Sequence, residues 1–307
     1  VAIDALNAAG AQGVVVDLRG NGGGFLDEAI NCAGVFVGEE PVVRVRNRRG
    51  EVRVDKPTHP SRRYDKPVIA LVDEGTASGA EIIAQSLRDF DQALIVGSNT
   101  AGKGNVQSVV LLSALSNGLK NVKTGAAKIT VQNFFTADGS EAEGRCIQPD
   151  ITLPGIPFLQ RYESTQISNH GTGTTLPNLL RSPIPADAER RARLLSNSGK
   201  RQKAETDLLY LTKWSARAYH ASSPSSGNLQ SLEKSIASRI KEKVQCLAEG
   251  KALANGAAPL IEIDPSNTAS NKVDHSDIAE EFSDLPWIPS IDPALNESFR
   301  VLADSID

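Results

Sequence analysis

The sequence predicts an α/β fold in which a sheet is flanked by helices, and two observations lead to this prediction. Short, continuous apolar runs over residues 13–18, 67–73 and 93–97 are typical of strands that are buried on both faces of a sheet. Between them, apolar residues recur every three or four positions over 26–37 and 77–87, as on one face of a helix. Alternation of such segments is typical of a sheet covered by helices.

The segments between and after these elements extend the same pattern. Residues 19–24 (RGNGGG) predict a tight turn, because glycine adopts unusual backbone angles at little cost. Residues 42–54 alternate between apolar and polar side chains, which predicts a hairpin whose turn lies at 47–50. Two more strands are predicted over 106–112 and 127–135.

Composition divides the chain into four parts. Residues 1–152 carry the alternating strands and helices, and residues 153–185 are rich in Pro, Ser, Thr and Gly, which favours an irregular linker. Charged segments with helical periodicity, over 186–218 and 228–254, predict a helical C-terminal extension over 186–265. We expect the polar, acidic residues 266–307 to be loosely ordered.

The bulk properties exclude several classes of function. The chain has 307 residues and a net charge of −4, with no basic stripe beside aromatic residues, so nucleic acid is not expected as a partner. It has no apolar run of about 18 residues, and therefore no predicted membrane span. The three cysteines lack metal-ligand spacing, no metal site is predicted, and we expect Cys32 in the core. Since the chain starts at Val1 and contains no Met, we interpret it as a fragment or a processed product.

The first candidate for chemistry is the glycine-rich turn after the first strand. Adjacent backbone N–H groups in such a turn can bind an anion, either an oxyanion or a dinucleotide pyrophosphate. The dinucleotide fingerprint fails here, because Phe25 stands where its third glycine belongs. A purely structural turn remains the other interpretation.

The second candidate is the segment 75–81 (GTASGAE), which joins a strand to a helix. A serine at this point, Ser78, has an exposed hydroxyl beside the free N–H groups and the partial positive charge of a helix N-terminus. Such a position suits a nucleophile. The alternative is that Ser78 or Thr76 only caps the helix, with Glu81 closing a capping box.

The third candidate is the segment 97–104 (GSNTAGKG), which nearly fits a phosphate loop. Gly104 replaces the hydroxyl residue of that motif, and a strand rather than a helix follows, so nucleotide binding is disfavoured. The alternative is that Lys103 is an ordinary surface lysine without a function. None of the four histidines lies in a motif-like segment, so a serine nucleophile would depend on a lysine base. Burial can hold a lysine neutral, and Gln107 could orient its amine.

Together, the stretches VVVDLRGNGGG, KPVIALVDEGTASGAEIIAQSLRD, ALIVGSNTAGKGNVQ and GRCIQPDI resemble the catalytic core of the C-terminal-processing (tail-specific) peptidases. The resemblance covers roughly residues 10–152. It implies a protease core of the ClpP/crotonase-like type. The residues that it implies as catalytic are Ser78, Lys103, Gln107 and Asp89, with the backbone N–H groups of Gly79, Gly23 and Gly24 as oxyanion donors.

Some positions depart from the family pattern or from its expected geometry. Gly79 and Ala101 differ from the family blocks, the first within the serine segment and the second beside the lysine. Eleven residues of helix would separate Asp89 from Ser78 by about 16 Å, so we expect Asp89 to support the fold or to orient a neighbour.

The resemblance implies a serine endopeptidase that needs no cofactor and cleaves proteins with apolar C-terminal tails in the periplasm or cell envelope. An inactive peptide-binding homologue and a nucleotide-binding α/β domain are the alternatives. No PDZ domain, which the family uses to capture substrate tails, is recognised in the sequence, so we expect poor substrate capture. Adaptors and oligomeric state are not predicted.

Overall fold

The computed structural model of the chain describes most of its first half and parts of its second half. The described residues are 2–58, 64–114, 125–155, 173–180, 188–222 and 292–306, with the helical positions 241, 245 and 249. The strands are β1 (Val14–Asp17), β2 (Val43–Asn47), β3 (Val52–Asp55), β4 (Val68–Val72), β5 (Ala93–Gly97), β6 (Asn105–Leu111), β7 (Ala126–Phe135) and β8 (Ile151–Thr152). The helices are α1 (Ala2–Ala8), α2 (Leu26–Val37), α3 (Gly79–Asp89), α4 (Ala188–Ala204), α5 (Thr206–Ser222) and α6 (Pro293–Ile306).

The strands form two four-stranded sheets rather than the single sheet that the sequence predicts. The first sheet is parallel and has the order β1-β4-β5-β8, and the second is antiparallel and has the order β3-β2-β7-β6. The mixed α/β class is therefore confirmed. The second sheet arises because the hairpin β2–β3 pairs with β7, almost 90 residues further along the chain, instead of joining the apolar strands.

Strand β4 shows why the parallel sheet is covered on both faces. All five of its side chains are buried. Val68, Ala70 and Val72 lie in one apolar cluster with residues of α2 and α3, whereas Ile69 and Leu71 lie in a second cluster with residues of α5 and α6. The continuous apolar run is thus the sequence of a strand between two helical layers.

Several local predictions agree closely with the structure. Helix α2 has the predicted bounds, and the turn of the hairpin closes with a hydrogen bond from Gly50 N–H to Asn47 O (3.0 Å). The expectation that Cys32 lies in the core is wrong, since its side chain is exposed. The buried face of α2 contains Ile30 and Ala33, and Cys32 lies on the opposite side of the same turn.

The expectation of loose order over 266–307 is wrong for its final part, because residues 293–306 form α6. The buried residues of this helix follow a helical spacing, but three of the six are polar, which hid the pattern from composition. They are Pro293, Glu297, Ser298, Val301, Leu302 and Ser305. Glu297 is buried because it pairs with Arg201 of α4.

The predicted linker and helical extension lie only partly within the described residues. Residues 173–180 follow an irregular path against residues 137–140, where Leu176 N–H donates to Gly139 O (2.9 Å). Residues 156–172 and 181–187 lie outside the described residues, as does the predicted helix over 228–254 except for three positions. The domain boundaries therefore stay predictions. None of the described helices is both long and apolar enough to cross a membrane.

Candidate active site

The glycine turn and the serine turn meet because they follow adjacent parallel strands. Strands β1 and β4 pair in register, so the segments that leave their carboxyl ends emerge side by side. Two hydrogen bonds join the turns directly: Thr76 Oγ1 donates to Leu18 O (2.8 Å), and Ala77 N–H donates to Asn21 O (2.9 Å). This edge of the sheet is where ligands bind in open parallel sheets.

Ser78 occupies the sharp turn that the sequence predicts. Its φ of 56° lies in the left-handed region, which a non-glycine residue adopts at a cost of about 1–3 kcal/mol, and such backbone strain clusters at functional sites. Ser78 immediately precedes α3 and forms a capping box with Glu81, in which the Ser78 N–H donates to Glu81 Oε2 (2.9 Å). Thr76 does not cap the helix, because its hydroxyl is bonded to the glycine turn instead.

The predicted oxyanion donors lie beside one another. Gly23 has a φ of 90°, and a Cβ on it would lie 2.7 Å from Gly79 N and 2.9 Å from Ser78 Cβ, so only glycine fits there. The N–H of Gly23 donates to Asn21 Oδ1 (2.9 Å). Among the residues that the structure describes, the N–H groups of Gly24 and Gly79 donate to no other group.

Glu81 connects the serine turn to the lysine segment. Its carboxylate is buried and accepts four hydrogen bonds. The donors to Oε1 are Thr100 Oγ1 (2.5 Å) and Gly102 N–H (2.7 Å), and the donors to Oε2 are Lys103 N–H (2.8 Å) and Ser78 N–H (2.9 Å). Burial raises the pKa of Glu81, while these four bonds act in the opposite direction by favouring the carboxylate. One oxygen, Oε2, therefore binds the backbone of both predicted catalytic residues.

Further contacts fix the lysine segment against the serine turn. Ala101 N–H donates to Thr76 O (3.0 Å), and Gly104 N–H donates to Glu143 Oε2 (2.7 Å). Strand β6 begins directly after this segment, as predicted, in place of the helix that a phosphate loop requires. Since carboxylates occupy the N–H groups of Gly102, Lys103 and Gly104, the segment does not offer them to a phosphate.

Two predicted site residues lie away from this cluster. Gln107 is exposed on β6, and no hydrogen bond among the described residues joins it to Lys103. Asp89 is the last residue of α3, three turns of helix from Ser78, which agrees with the separation expected from the sequence. The structure brings together the backbones of Ser78 and Lys103. The side chains of Gln107 and Asp89 do not lie with them.

Asp89 lines a cavity of about 520 Å³ on the flank of α3, which Glu81 also lines. Its Oδ1 accepts a hydrogen bond from Gln85 Nε2 (2.6 Å), whereas its buried Oδ2 has no partner among the described residues. Burial raises the pKa of Asp89 to about 6, with the nearby charge of Asp138 adding to the effect.

Sequence reasoning missed two carboxylates that shape the site. Glu81 was considered only as a helix cap, since its partners beyond residue 99 cannot be inferred from the local pattern. Asp73 was not considered, yet its Oδ1 accepts hydrogen bonds from the N–H groups of Gly20 (2.8 Å) and Gly75 (2.9 Å), one in each turn. Its position directly after a buried strand was the available signal. No group of three His, Cys, Asp or Glu side chains within the described ranges could hold a metal ion.

Comparison with known proteins identifies the family of the first half of the chain. Residues 1–153 match the sequence profile of "Peptidase family S41". The chain is 31% identical over 159 residues to the tail-specific protease of Haemophilus influenzae, and this alignment covers 52% of this chain and 23% of that protein. It is 33% identical over 178 residues to the carboxy-terminal processing protease CtpA of Bacillus subtilis, and this alignment covers 56% of this chain and 36% of that protein.

Among solved structures, the photosystem II D1 C-terminal processing protease matches with 31% identity and a TM-score of 0.43, over 50% of this chain and 37% of that one. The chain thus spans less than two fifths of the length of each of these relatives. The matched segment contains both glycine-rich turns, the serine turn and Glu81. Through residues 1–153, this chain belongs to peptidase family S41.

Proposed function

We propose that the chain is a serine endopeptidase in which Ser78 is the nucleophile and Lys103 is the general base. The observation that supports this most strongly is the sharing of Glu81 Oε2 by the backbone N–H groups of Ser78 and Lys103. Their two nitrogens can be no further apart than the sum of two hydrogen-bond lengths. A lysine side chain that starts so close can reach the serine hydroxyl.

In this mechanism, neutral Lys103 Nζ takes the proton of Ser78 Oγ as the oxygen attacks the carbonyl carbon of the substrate. The protonated amine then gives its proton to the leaving nitrogen, and the C–N bond breaks to leave an acyl-enzyme. Water attacks the ester, with Lys103 again as the base, and Ser78 regains its proton.

The oxyanion of the tetrahedral intermediate is held by backbone N–H groups. Gly79 and Gly24 are the best donors, because neither N–H has an acceptor within the described residues and a Cβ on Gly79 would lie 3.3 Å from Gly24 N. The N–H of Gly23 is bonded to Asn21, so Gly23 serves to let the turn approach Ser78. The partial positive charge at the N-terminus of α3 adds to the stabilisation.

Gln107 and Asp89 have supporting roles in this proposal. Gln107 lies four residues after Lys103 at a β-bulge, and a rotation of its exposed side chain would let it orient the amine once substrate is bound. Asp89 acts at a distance from the reacting atoms, through its hydrogen bond with Gln85 at the far end of α3.

The substrates that we propose are proteins cut at or near their C-terminal tails, as the names of the relatives suggest. The apolar character of those tails and a location in the cell envelope are proposed from the family resemblance alone. We also propose that the protease core is of the ClpP/crotonase-like type. Helices α4, α5 and α6 would then belong to its C-terminal extension.

The test is cleavage of an unfolded protein with an apolar C-terminus by the full 307-residue chain, beside Ser78→Ala and Lys103→Ala. A fluorophosphonate probe, located by mass spectrometry, measures the reactivity of Ser78 in parallel. We expect both variants to lose turnover by at least about 10³-fold and to keep the thermal stability of the parent chain. Cleavage by Lys103→Ala at the parent rate would reject the assignment of the base.

A further inference from the structure

Arg19, the first residue of the glycine turn, is held by two carboxylates from opposite ends of the chain. Its Nε and Nη2 donate to Asp17, at 2.9 Å and 2.6 Å, while its Nη1 donates to Asp292 Oδ1 (2.9 Å) and Nη2 also contacts Asp292 Oδ2. The side chain of Asp292 is only 4% exposed and that of Arg19 is 18% exposed. Paired, partly buried forks of this kind fix the guanidinium in one plane.

Asp292 is itself anchored at the start of α6. Its Oδ1 accepts the N–H of Leu295 (3.0 Å), and its backbone carbonyl accepts the N–H of Asn296 (2.8 Å), as an N-cap residue does. Further along the helix, Val301 and Leu302 are buried against Ile69 and Leu71 of β4. The cap therefore presents its carboxylate from a helix that is packed on the parallel sheet.

We propose that Asp292 is a positioning residue for the peptidase reaction, acting through Arg19 on the glycine turn that supplies an oxyanion donor. The proposal rests on the proposed function for its catalytic consequence. Its physical basis is the continuity of the turn: Arg19 is followed by Gly20, whose N–H is bonded to Asp73, and by Asn21, whose carbonyl binds the serine turn.

The consequence for catalysis follows from the position of Gly24. Within the part of the chain that the structure describes, this glycine has no hydrogen bond of its own to hold its N–H toward the serine turn. Its orientation thus depends on the anchored residues before it, of which Arg19 is the one fixed from α6. Loss of the Asp292 pair would remove the contact that ties Arg19 to α6 and loosen the start of the turn.

The variant that isolates this role is Asp292→Asn. Asparagine keeps the helix cap, because it is as good an N-cap as aspartate, but it places an amide opposite the guanidinium and removes the charge pair. A matched control is Asp304→Asn, which removes a hydrogen bond from Arg201 Nη1 (2.8 Å) to the same helix, three turns away from the glycine turn. The second variant weakens the docking of α6 without touching Arg19.

Four quantities are measured on the full chain. They are kcat and KM for a peptide substrate, the affinity for a peptide aldehyde, and the rate of amide exchange in residues 19–24. For Asp292→Asn we expect kcat to fall about 10-fold with KM nearly unchanged, since a displaced donor costs less than a deleted one. Aldehyde affinity should fall in parallel, and exchange in the turn should accelerate. Asp304→Asn should change none of these.

Unchanged kcat and unchanged exchange in Asp292→Asn would overturn the proposal, as would equal effects in both variants. Adding Asp292→Asn to Arg19→Gln should cause no further loss, and an additive loss would also contradict a role through Arg19. Failure of the proposed function gives a different result. In that case the parent chain shows no cleavage and no label on Ser78, while exchange of the turn still responds to Asp292→Asn.

Discussion

Replacing Glu81 by glutamine is the most direct perturbation of the site, because it changes one oxygen to an N–H₂ group and leaves the shape intact. Two of the four donors that face the carboxylate would then face another donor. Each buried donor left without an acceptor costs about 1–3 kcal/mol. Burial disfavours the charged form of Glu81, as its raised pKa shows, so removing the charge offsets part of the loss from the two unpaired donors. We expect a net loss of about 2–4 kcal/mol in the free energy of unfolding.

Activity should fall by more than stability predicts. If the amide nitrogen takes the place of Oε2, the N–H groups of Ser78 and Lys103 lose their common acceptor. A displacement of these residues by about 1 Å costs on the order of 10²-fold in rate. The assay is kcat/KM under conditions where the variant is fully folded, with the free energy of unfolding taken from urea titration. Asp150→Asn is the control, because its Oδ2 also accepts a backbone N–H, from Ile95 (2.8 Å), but away from the site.

A Glu81→Gln chain that unfolds more easily but keeps kcat/KM within twofold of the parent would refute the reasoning. In that case the carboxylate would stabilise the fold without positioning the two catalytic residues. A control that loses as much activity as Glu81→Gln would lead to the same conclusion.

Two further predictions follow from the glycine turn and from α3. Gly23→Ala should reduce both thermal stability and hydrolysis strongly, since its Cβ would lie 2.7 Å from backbone atoms of the serine turn, whereas Gly22→Ala, with no heavy atom within 4 Å, should be nearly neutral in both assays. Equal behaviour of the pair would show that the turn has room to move. Asp89 has a pKa of about 6, so the folded chain keeps a proton that the unfolded chain releases near pH 4, and stability falls as the pH rises between these values. Asp89→Asn should therefore raise Tm at pH 7.5, by an amount equivalent to at most about 3 kcal/mol, and leave it nearly unchanged below pH 4; a Tm difference independent of pH would contradict this.

The local elements were predictable because their signals are local. Apolar runs and helical spacing fixed β1, β4, β5 and α2 to within a residue or two, since burial on a sheet or a helix face selects those patterns directly. The positions of Ser78 and Lys103 in their turns also followed, from the glycines around them. What the sequence could not predict depends on contacts between distant segments.

Three cases illustrate this limit. The second sheet depends on β2 choosing β7 as its partner, and alternation along a strand does not specify a neighbour. Glu81 has the local pattern of a helix cap, but three of its four hydrogen bonds come from residues after 99. Helix α6 lies in a segment whose composition is polar, because its buried positions include Glu297 and Ser298, which are satisfied by partners rather than by apolar contact.

The ion pair between Arg19 and Asp292 also bears on the order in which the protein is synthesised and folds. The two residues are separated by 273 positions, so their pairing is among the most non-local contacts of the chain and must form late. During synthesis at about 5–20 residues per second, the glycine turn leaves the ribosome many seconds before Asp292 is added. A nascent chain therefore contains the glycine turn and the serine turn before the residue that anchors Arg19 from α6 exists.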